Sequence, residues 1–195
     1  MTKTKIEGVE VELWMDDSGK LLLTTVGSLS LDMTAIKVLP DNLRVGGDLY
    51  LQDTDITALP ENLAVVGNLD LEGSAITALS ESLSVGGSLI LNRTAIKVLP
   101  DNLRVGGNLY LRRTAITVLP ENLSVGGDLD LTESGITELP NNLSIRHSLS
   151  LYNTSIKALP EYLNVGGNLD LRRTAIKTIP QGVKVSGRIL GSKAA

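Results

Sequence analysis

The sequence predicts a mainly-β repeat solenoid, in which eight repeats of twenty residues span residues 28–187. Three observations predict this fold class. The sequence overlays on itself at a shift of twenty residues without an insertion, six columns of the repeat hold only Leu, Ile or Val, and Gly and Pro recur at fixed offsets. Because Pro and Gly interrupt so short a repeat, it has no room for a full α-helix.

The two ends of the array are predicted to differ from the repeats, since a repeat array exposes apolar edges that need caps. Apolar residues alternate with glutamates over residues 9–13, and Asp-Asp-Ser-Gly at 16–19 is a turn signal before Leu21 and Leu23. Residues 1–27 therefore predict an N-terminal β-hairpin cap, with Trp14 expected to pack as a lid on the first repeat. Residues 188–195 are predicted to be a remnant of a C-terminal cap and a tail.

The spacing within one repeat predicts how it folds. Leu49 and Leu51 alternate with polar positions and predict a short strand, while Ile56 and Leu59 turn inward across a bend. Pro60 then prevents a helix from continuing. We expect one parallel sheet with strands about 4.8 Å apart, extended or 3₁₀ backbone on the return side, and no full helices.

Two polar columns indicate structural hydrogen bonds. A hydroxyl can bond backbone groups that no sheet reaches, and eight catalytic hydroxyls in a row would make no sense. The hydroxyl column consists of Thr34, Thr54, Ser74, Thr94, Thr114, Ser134, Thr154 and Thr174. A second column is predicted to cap or bridge the return-side turn. Its members are Asn42, Asn62, Ser82, Asn102, Asn122 and Asn142.

A Gly-Gly pair ends most repeats, and its exceptions distinguish its two positions. The first position becomes Val66, Arg146 and Ser186, whereas the second is Gly in every repeat except at His147. The second position is therefore predicted to need a positive φ or a close backbone approach. No glycine spacing matches a phosphate-binding loop, so the sequence predicts no nucleotide site.

Composition excludes several classes of function. The chain has no Cys, one His, a net charge of −4 and a pI near 5.1, which argue against thiolate chemistry, a metal or other cofactor, and general binding to nucleic acid or anionic membranes. No apolar run approaches the roughly 18 residues of a membrane span, and the N-terminus does not predict a cleaved signal peptide. We expect a cytoplasmic protein by default, with secretion by a non-classical route as the alternative.

The repeat pattern LxLxxTxIxxLPxNLxVGGx resembles the leucine-rich repeat superfamily. It is similar to the short repeats of secreted bacterial effectors of the YopM and IpaH group, and more similar to a bacterial and phage repeat group with VGG and T-x-I in each unit. The resemblance implies a right-handed array of the leucine-rich-repeat type. Thr replaces the usual Asn, and Gly replaces the first consensus Leu, which leaves a β-helix-like cross-section as an alternative. The ligase activity of the IpaH group is not implied, because it needs a catalytic Cys.

The variable strand positions are the predicted functional surface, since the conserved columns build the solenoid. Aromatic side chains on a rigid face are typical anchors of protein interfaces. We expect a non-enzymatic module, monomeric in solution, that binds a protein partner on the strand face of repeats two to five. The candidate residues are Tyr50, Asp70, Ile90, Tyr110, Arg112, Arg113 and Tyr152. The alternatives are a repeat protein that self-associates through its C-terminal end, an effector-type binder, and an enzyme using His147.

Overall fold

The N-terminal segment forms an antiparallel β-meander. The computed structural model of the chain describes residues 2–6, 9–15 and 21–191. Strand β1 (Thr2–Ile6) pairs antiparallel with β2 (Val9–Met15), which pairs antiparallel with β3 (Leu21–Thr25). The predicted turn at 16–19, the side chain of Trp14 and the tail at 192–195 lie outside the described part. The division of the chain at residues 27 and 187 stays a prediction.

Each of the eight repeats contributes two short strands to the solenoid, and one further strand, β20, follows the eighth repeat. In chain order they are β4 (Leu29–Ser30), β5 (Leu43–Val45), β6 (Leu49–Tyr50), β7 (Ala64–Val65), β8 (Leu69–Asp70), β9 (Ser84–Val85), β10 (Leu89–Ile90), β11 (Arg104–Val105), β12 (Leu109–Tyr110), β13 (Ser124–Val125), β14 (Leu129–Asp130), β15 (Ser144–Ile145), β16 (Leu149–Ser150), β17 (Asn164–Val165), β18 (Leu169–Asp170), β19 (Lys184–Val185) and β20 (Ile189–Leu190). The even-numbered strands carry the first Leu column, and the odd-numbered strands lie on the return side.

The strands stack into two parallel ladders. The even-numbered strands from β4 to β20 form a nine-stranded sheet, while β5, β7, β9, β11 and β13 continue the sheet of β1–β3. Strands β15, β17 and β19 form a separate three-stranded sheet. The predicted mainly-β repeat solenoid is confirmed, and the described residues contain no helix. The prediction of one parallel sheet misses the return-side ladder, which forms because equal repeat lengths bring the same backbone groups into register.

The six apolar columns form one continuous core. In repeats one to seven their side chains are buried, apart from the partly buried Leu79, which precedes Ser80 where most repeats have Pro. Leu169 and Leu171 of the eighth repeat are also buried, but its remaining apolar residues are partly exposed. The core thus depends on each repeat being covered on both sides by another.

The hydroxyl column closes a tight turn in each repeat. In seven of the eight repeats its hydroxyl donates to the carbonyl of the Leu three residues earlier, at 2.6–2.8 Å, as predicted. The exception is Ser134, whose buried hydroxyl has no partner. The residue before the hydroxyl has a positive φ in every repeat, a feature that the sequence analysis missed. These residues are Met33, Asp53, Gly73, Arg93, Arg113, Glu133, Asn153 and Arg173.

A second polar ladder was not predicted. The first residue of each repeat has a short side chain whose oxygen accepts a hydrogen bond from the backbone N–H twenty residues later, at 2.6–3.1 Å. The acceptors are Ser28, Asp48, Asn68, Ser88, Asn108, Asp128, Ser148 and Asn168. Arg188 follows in this column and has no side-chain acceptor, so the ladder ends there. The ladder satisfies one backbone donor in each repeat that no strand pairing reaches.

Substitution of Asn108 by alanine is expected to lower the free energy of unfolding by about 1–2 kcal/mol, because the Asp128 N–H then loses its acceptor. Asn108→Ser should retain most of the stability, since Ser fills this column in other repeats. Asn102→Ala, at an exposed return-side turn, should change stability by less than about 0.5 kcal/mol. Urea denaturation compares the three variants, and equal losses for Asn108→Ala and Asn102→Ala would contradict the ladder's role.

The Gly pair is required for close approach between repeats rather than for positive φ, which neither position adopts. A Cβ atom on Gly107 would lie 2.9 Å from the carbonyl carbon of Gly87. The first position is also crowded, because a Cβ on Gly106 would clash with the carbonyl oxygen of Gly86. The sequence predicted a close backbone approach at the second position, and the structure shows a close approach at both positions.

The natural exceptions show which position tolerates a side chain. With Val66 at the first position, the Val66 N–H still donates to the Val45 carbonyl at 3.0 Å, and the Ser186 N–H keeps its bond as well. At His147, where the second position is not Gly, the return-side ladder breaks between β13 and β15. The backbone accommodates a side chain at the first position, and the break coincides with the repeat that changes both positions.

Candidate functional site

One row of side chains, the mid-strand row, runs along the nine-stranded sheet from the second residue of each strand. Its register aligns Tyr50 with Asp70, Asp70 with Ile90, and Ile90 with Tyr110. Four of the predicted binding residues therefore lie side by side on successive strands. They are half-buried, because strands about 4.8 Å apart cover the flanks of each other's side chains.

Among the side chains that the structure describes, the large exposed apolar ones lie outside this row. They are Val26, Met33, Val38, Val66, Val98, Val118 and Tyr162. Val38, Val98 and Val118 occupy one column just before the return-side turn, and Tyr162 lies in the turn column. The return side is thus the competing surface for a partner, and Tyr162 offers a matched control for the strand-face tyrosines.

Hydrogen bonds orient the polar groups of the mid-strand row. The Tyr50 hydroxyl donates to Asp48 at 2.9 Å, which raises the pKa of Tyr50, and the Tyr110 hydroxyl accepts from the Asn108 amide at 2.8 Å. Asp70 accepts from the Gln52 amide at 2.5 Å, and burial raises the pKa of its carboxyl group. The row is consequently ordered before any partner binds.

Beside the row lies a concave site of about 300 Å³, here called the arginine cavity. It is lined by Glu72, Asn92, Arg93, Arg112, Arg113, Thr132 and Glu133. Arg93 and Arg113 occupy the positive-φ position of the turn, and Arg112 directly follows the buried Leu111. The Arg112 N–H donates to the Asn92 side chain at 3.0 Å. The turn geometry, repeated on successive strands, is what brings the three guanidinium groups together.

The charges of this face form ion pairs between adjacent repeats. The pairs join Arg93 Nη2 to Glu72 Oε1 at 3.2 Å, Arg112 Nε to Asp130 Oδ2 at 3.1 Å, and Arg113 Nε to Glu133 Oε2 at 2.8 Å. Acidic and basic side chains of neighbouring repeats therefore largely neutralise each other on this face. Each arginine side chain is more than half exposed, so these pairs contribute little to stability.

A second concave site of about 260 Å³ adjoins the arginine cavity and shares Arg112, Thr132 and Glu133 with it. Tyr152 lines this site, and the guanidinium groups of Arg172 and Arg173 each lie 5.4 Å from its ring centroid. Both distances are within the range of cation–π attraction. Hydrogen bonds from Arg172 hold the pKa of Asp170 below its ordinary value.

The structure divides the predicted residues into two groups. Arg112, Arg113 and Tyr152 line the two connected cavities, whereas Tyr50, Asp70, Ile90 and Tyr110 form the neighbouring mid-strand row. The candidate set omitted further lining residues. They are Glu72, Asn92, Arg93, Thr132 and Glu133. Opposite charges 20 or 21 residues apart, as at Arg113 with Glu133 and Glu72 with Arg93, are the signal that could have identified them.

His147 takes part in no side-chain hydrogen bond or ion pair within the described segments, and its side chain is exposed. No group of three or more His, Asp or Glu side chains with metal-binding geometry occurs among the described residues. Within the described residues, no hydrogen bond joins His147 to the neighbouring Ser148 or to Asp128, whose carboxylate accepts from the Ser148 N–H at 2.8 Å.

The twenty-residue period, the parallel strands and the absence of helices in the described residues define a β-solenoid built of twenty-residue, leucine-rich repeats. A solved leucine-rich-repeat protein of Leptospira interrogans is similar to this chain, with 18% identity over 83% of this chain and 71% of that one, and a TM-score of 0.35. Comparisons with protein-family models and with curated proteins give no match. Within the described residues no helix is suited to crossing a membrane.

Proposed function

We propose that this chain is a non-enzymatic protein-interaction module that binds its partner on the strand face. The observation that carries the proposal is the placement of the mid-strand row and both concave sites on the same face of the nine-stranded sheet. A rigid face that carries aromatic anchors beside concave sites suits recognition of a folded or extended protein segment.

The tyrosines of the row supply contact area at low entropic cost. Tyr110 is half-buried, and its hydroxyl is held by Asn108, so little side-chain freedom is lost when a partner covers the ring. Ile90 and Asp70 continue the same row. An aromatic ring packed at the centre of an interface is the kind of residue that dominates binding energy.

The charge arrangement favours a protein partner over nucleic acid. Arg93, Arg112 and Arg113 each lie within an ion-pair distance of a carboxylate, so the face lacks the uncompensated positive charge that phosphate backbones require. Charges of both signs at fixed positions select a partner by its own charge pattern and orient it.

Tyr110→Ala is expected to weaken binding of the partner by about 2 kcal/mol or more, because it removes a central aromatic anchor. The matched control is Tyr162→Ala, which removes an exposed tyrosine from the return side and should bind like the wild type. The partner is isolated by cross-linking to the wild-type chain and then titrated calorimetrically with both variants, while thermal melts check folding. If Tyr162→Ala loses binding and Tyr110→Ala keeps it, the interface lies on the return side.

A further inference from the structure

The arginine cavity has unused hydrogen-bonding capacity. A guanidinium group has five N–H donors. At this cavity the ion-pair contacts join Nη2 of Arg93, Nε of Arg112 and Nε of Arg113 to their carboxylates. Only the Arg113 contact also has hydrogen-bond geometry. Most donors of the three groups are therefore open to a ligand.

Arg172 in the adjoining site shows the opposite arrangement. Its Nε and Nη2 donate to both carboxylate oxygens of Asp170, at 2.9 Å and 2.6 Å. This is the planar, two-point pairing in which a guanidinium group binds a carboxylate most strongly. Arg172 is thus already satisfied within the chain, whereas the arginines of the cavity are not.

We propose that the arginine cavity binds a side-chain carboxylate from an acidic segment of the protein partner. The inference rests on the proposed function and specifies which chemical group of the partner is bound. Arg112 and Arg113 present the free edges of two guanidinium groups from successive positions of one turn, and Arg93 adds a third from the preceding repeat. A carboxylate entering the cavity forms charge-assisted hydrogen bonds with these donors.

The lining also limits the kind of anion that fits. Three arginines and two glutamates line the cavity, and Asp130 lies 3.1 Å from Arg112, so the charges at the site balance. A single carboxylate can enter by taking the place of one of these exposed pairs, while Glu72 and Glu133 at the same site repel a dense polyanion such as nucleic acid. Because the existing ion pairs are exposed and weak, rearranging them to admit a ligand costs little.

The test uses the full chain with ¹⁵N-labelled arginine and follows the Nε–H signals by NMR. The probe is acetyl-Ala-Glu-Ala-amide, with acetyl-Ala-Gln-Ala-amide and inorganic phosphate as comparison ligands. We expect saturable shifts of the Arg93, Arg112 and Arg113 signals with the glutamate peptide, weaker shifts with phosphate and none with the glutamine peptide. The Arg172 signal is the internal control and should not move, because Asp170 occupies its donors.

Variants locate the binding. The double change Arg112→Gln and Arg113→Gln should weaken the glutamate peptide by about tenfold or more, since at least one charge-assisted hydrogen bond is lost. Arg104→Gln removes the same charge from the return side and should leave the affinity unchanged. The proposal is overturned if no cavity signal shifts, if Arg172 shifts equally, if phosphate binds more tightly than the glutamate peptide, or if Arg104→Gln has the same effect as the double change.

The two proposals can fail separately. The peptide titration needs no natural partner, so an absent response removes the carboxylate site while the effect of Tyr110→Ala on partner binding still stands. Conversely, a partner that binds Tyr110→Ala like the wild type removes the strand-face interface without altering a peptide response at Arg112 and Arg113.

Discussion

Leu109→Ala is expected to lower the free energy of unfolding by about 2–5 kcal/mol, which is the usual cost of a cavity at a fully buried leucine. Leu109 is 0% exposed and lies in register between Leu89 and Leu129 on the neighbouring strands. The side chain therefore loses contacts on both sides when it is truncated, and the stacked backbone limits how far the repeats can collapse into the space. Urea denaturation followed by circular dichroism measures the loss.

The same substitution at an end of the nine-stranded sheet provides the control. Leu29 is also 0% exposed, but β4 is the terminal strand of that sheet and Leu29 aligns only with Leu49. Leu29→Ala should cost less, since β4 has a neighbouring strand of this sheet on one side alone. Leu169, whose outer neighbour is the partly buried Ile189, should fall between the two. Equal losses of stability at the three positions would contradict nearest-neighbour stacking and would instead indicate a compact globular core that is not built repeat by repeat.

The fold class was predictable because its evidence is local and repeated. A period of twenty residues aligns the same apolar columns in every repeat, and these columns supply nearly the whole core. The hydroxyl column was predictable for the same reason, since a Thr or Ser at one fixed position can only serve the backbone beside it. A single repeat would not have been sufficient, because Leu-x-Leu alone occurs in many folds.

Features that depend on contacts between repeats were harder to predict. The ion pair between Arg112 and Asp130 joins residues 18 positions apart. Because the repeat is twenty residues long, the two residues belong to different columns, and a comparison of equivalent positions does not pair them. The half-burial of Tyr50 and Tyr110 depends on the neighbouring strands rather than on the residues themselves. Positive φ at Met33 runs against the usual preference of its residue type, and only the turn repeated around it explains that conformation.

The return-side ladder shows how an exception in the sequence becomes informative once the structure is known. Arg146 and His147 could be taken from the sequence as drift or as a special site. In the structure they coincide with the break between β13 and β15, which divides the return side into two sheets, while the nine-stranded sheet continues past them.

Gly107→Val is expected to destabilise the chain by roughly 2–4 kcal/mol, because it combines overpacking with the loss of backbone hydrogen bonds. The Gly107 N–H donates to the Gly87 carbonyl at 2.8 Å, and the Gly107 carbonyl accepts from the Gly127 N–H at 2.9 Å. A valine side chain would start 2.9 Å from the backbone of Gly87, so both bonds must lengthen. Gly106→Val is the matched control: a Cβ there would clash with the Gly86 carbonyl oxygen, but Val66 occupies the equivalent position with its ladder bond intact, so we expect the backbone to adjust at a lower cost. Hydrogen exchange should then show faster opening of the return-side amides in Gly107→Val than in Gly106→Val, with β12 still protected in both. If the two variants lose equal stability, the second position has no special role, and the break at His147 must arise from Arg146 or from the pair together.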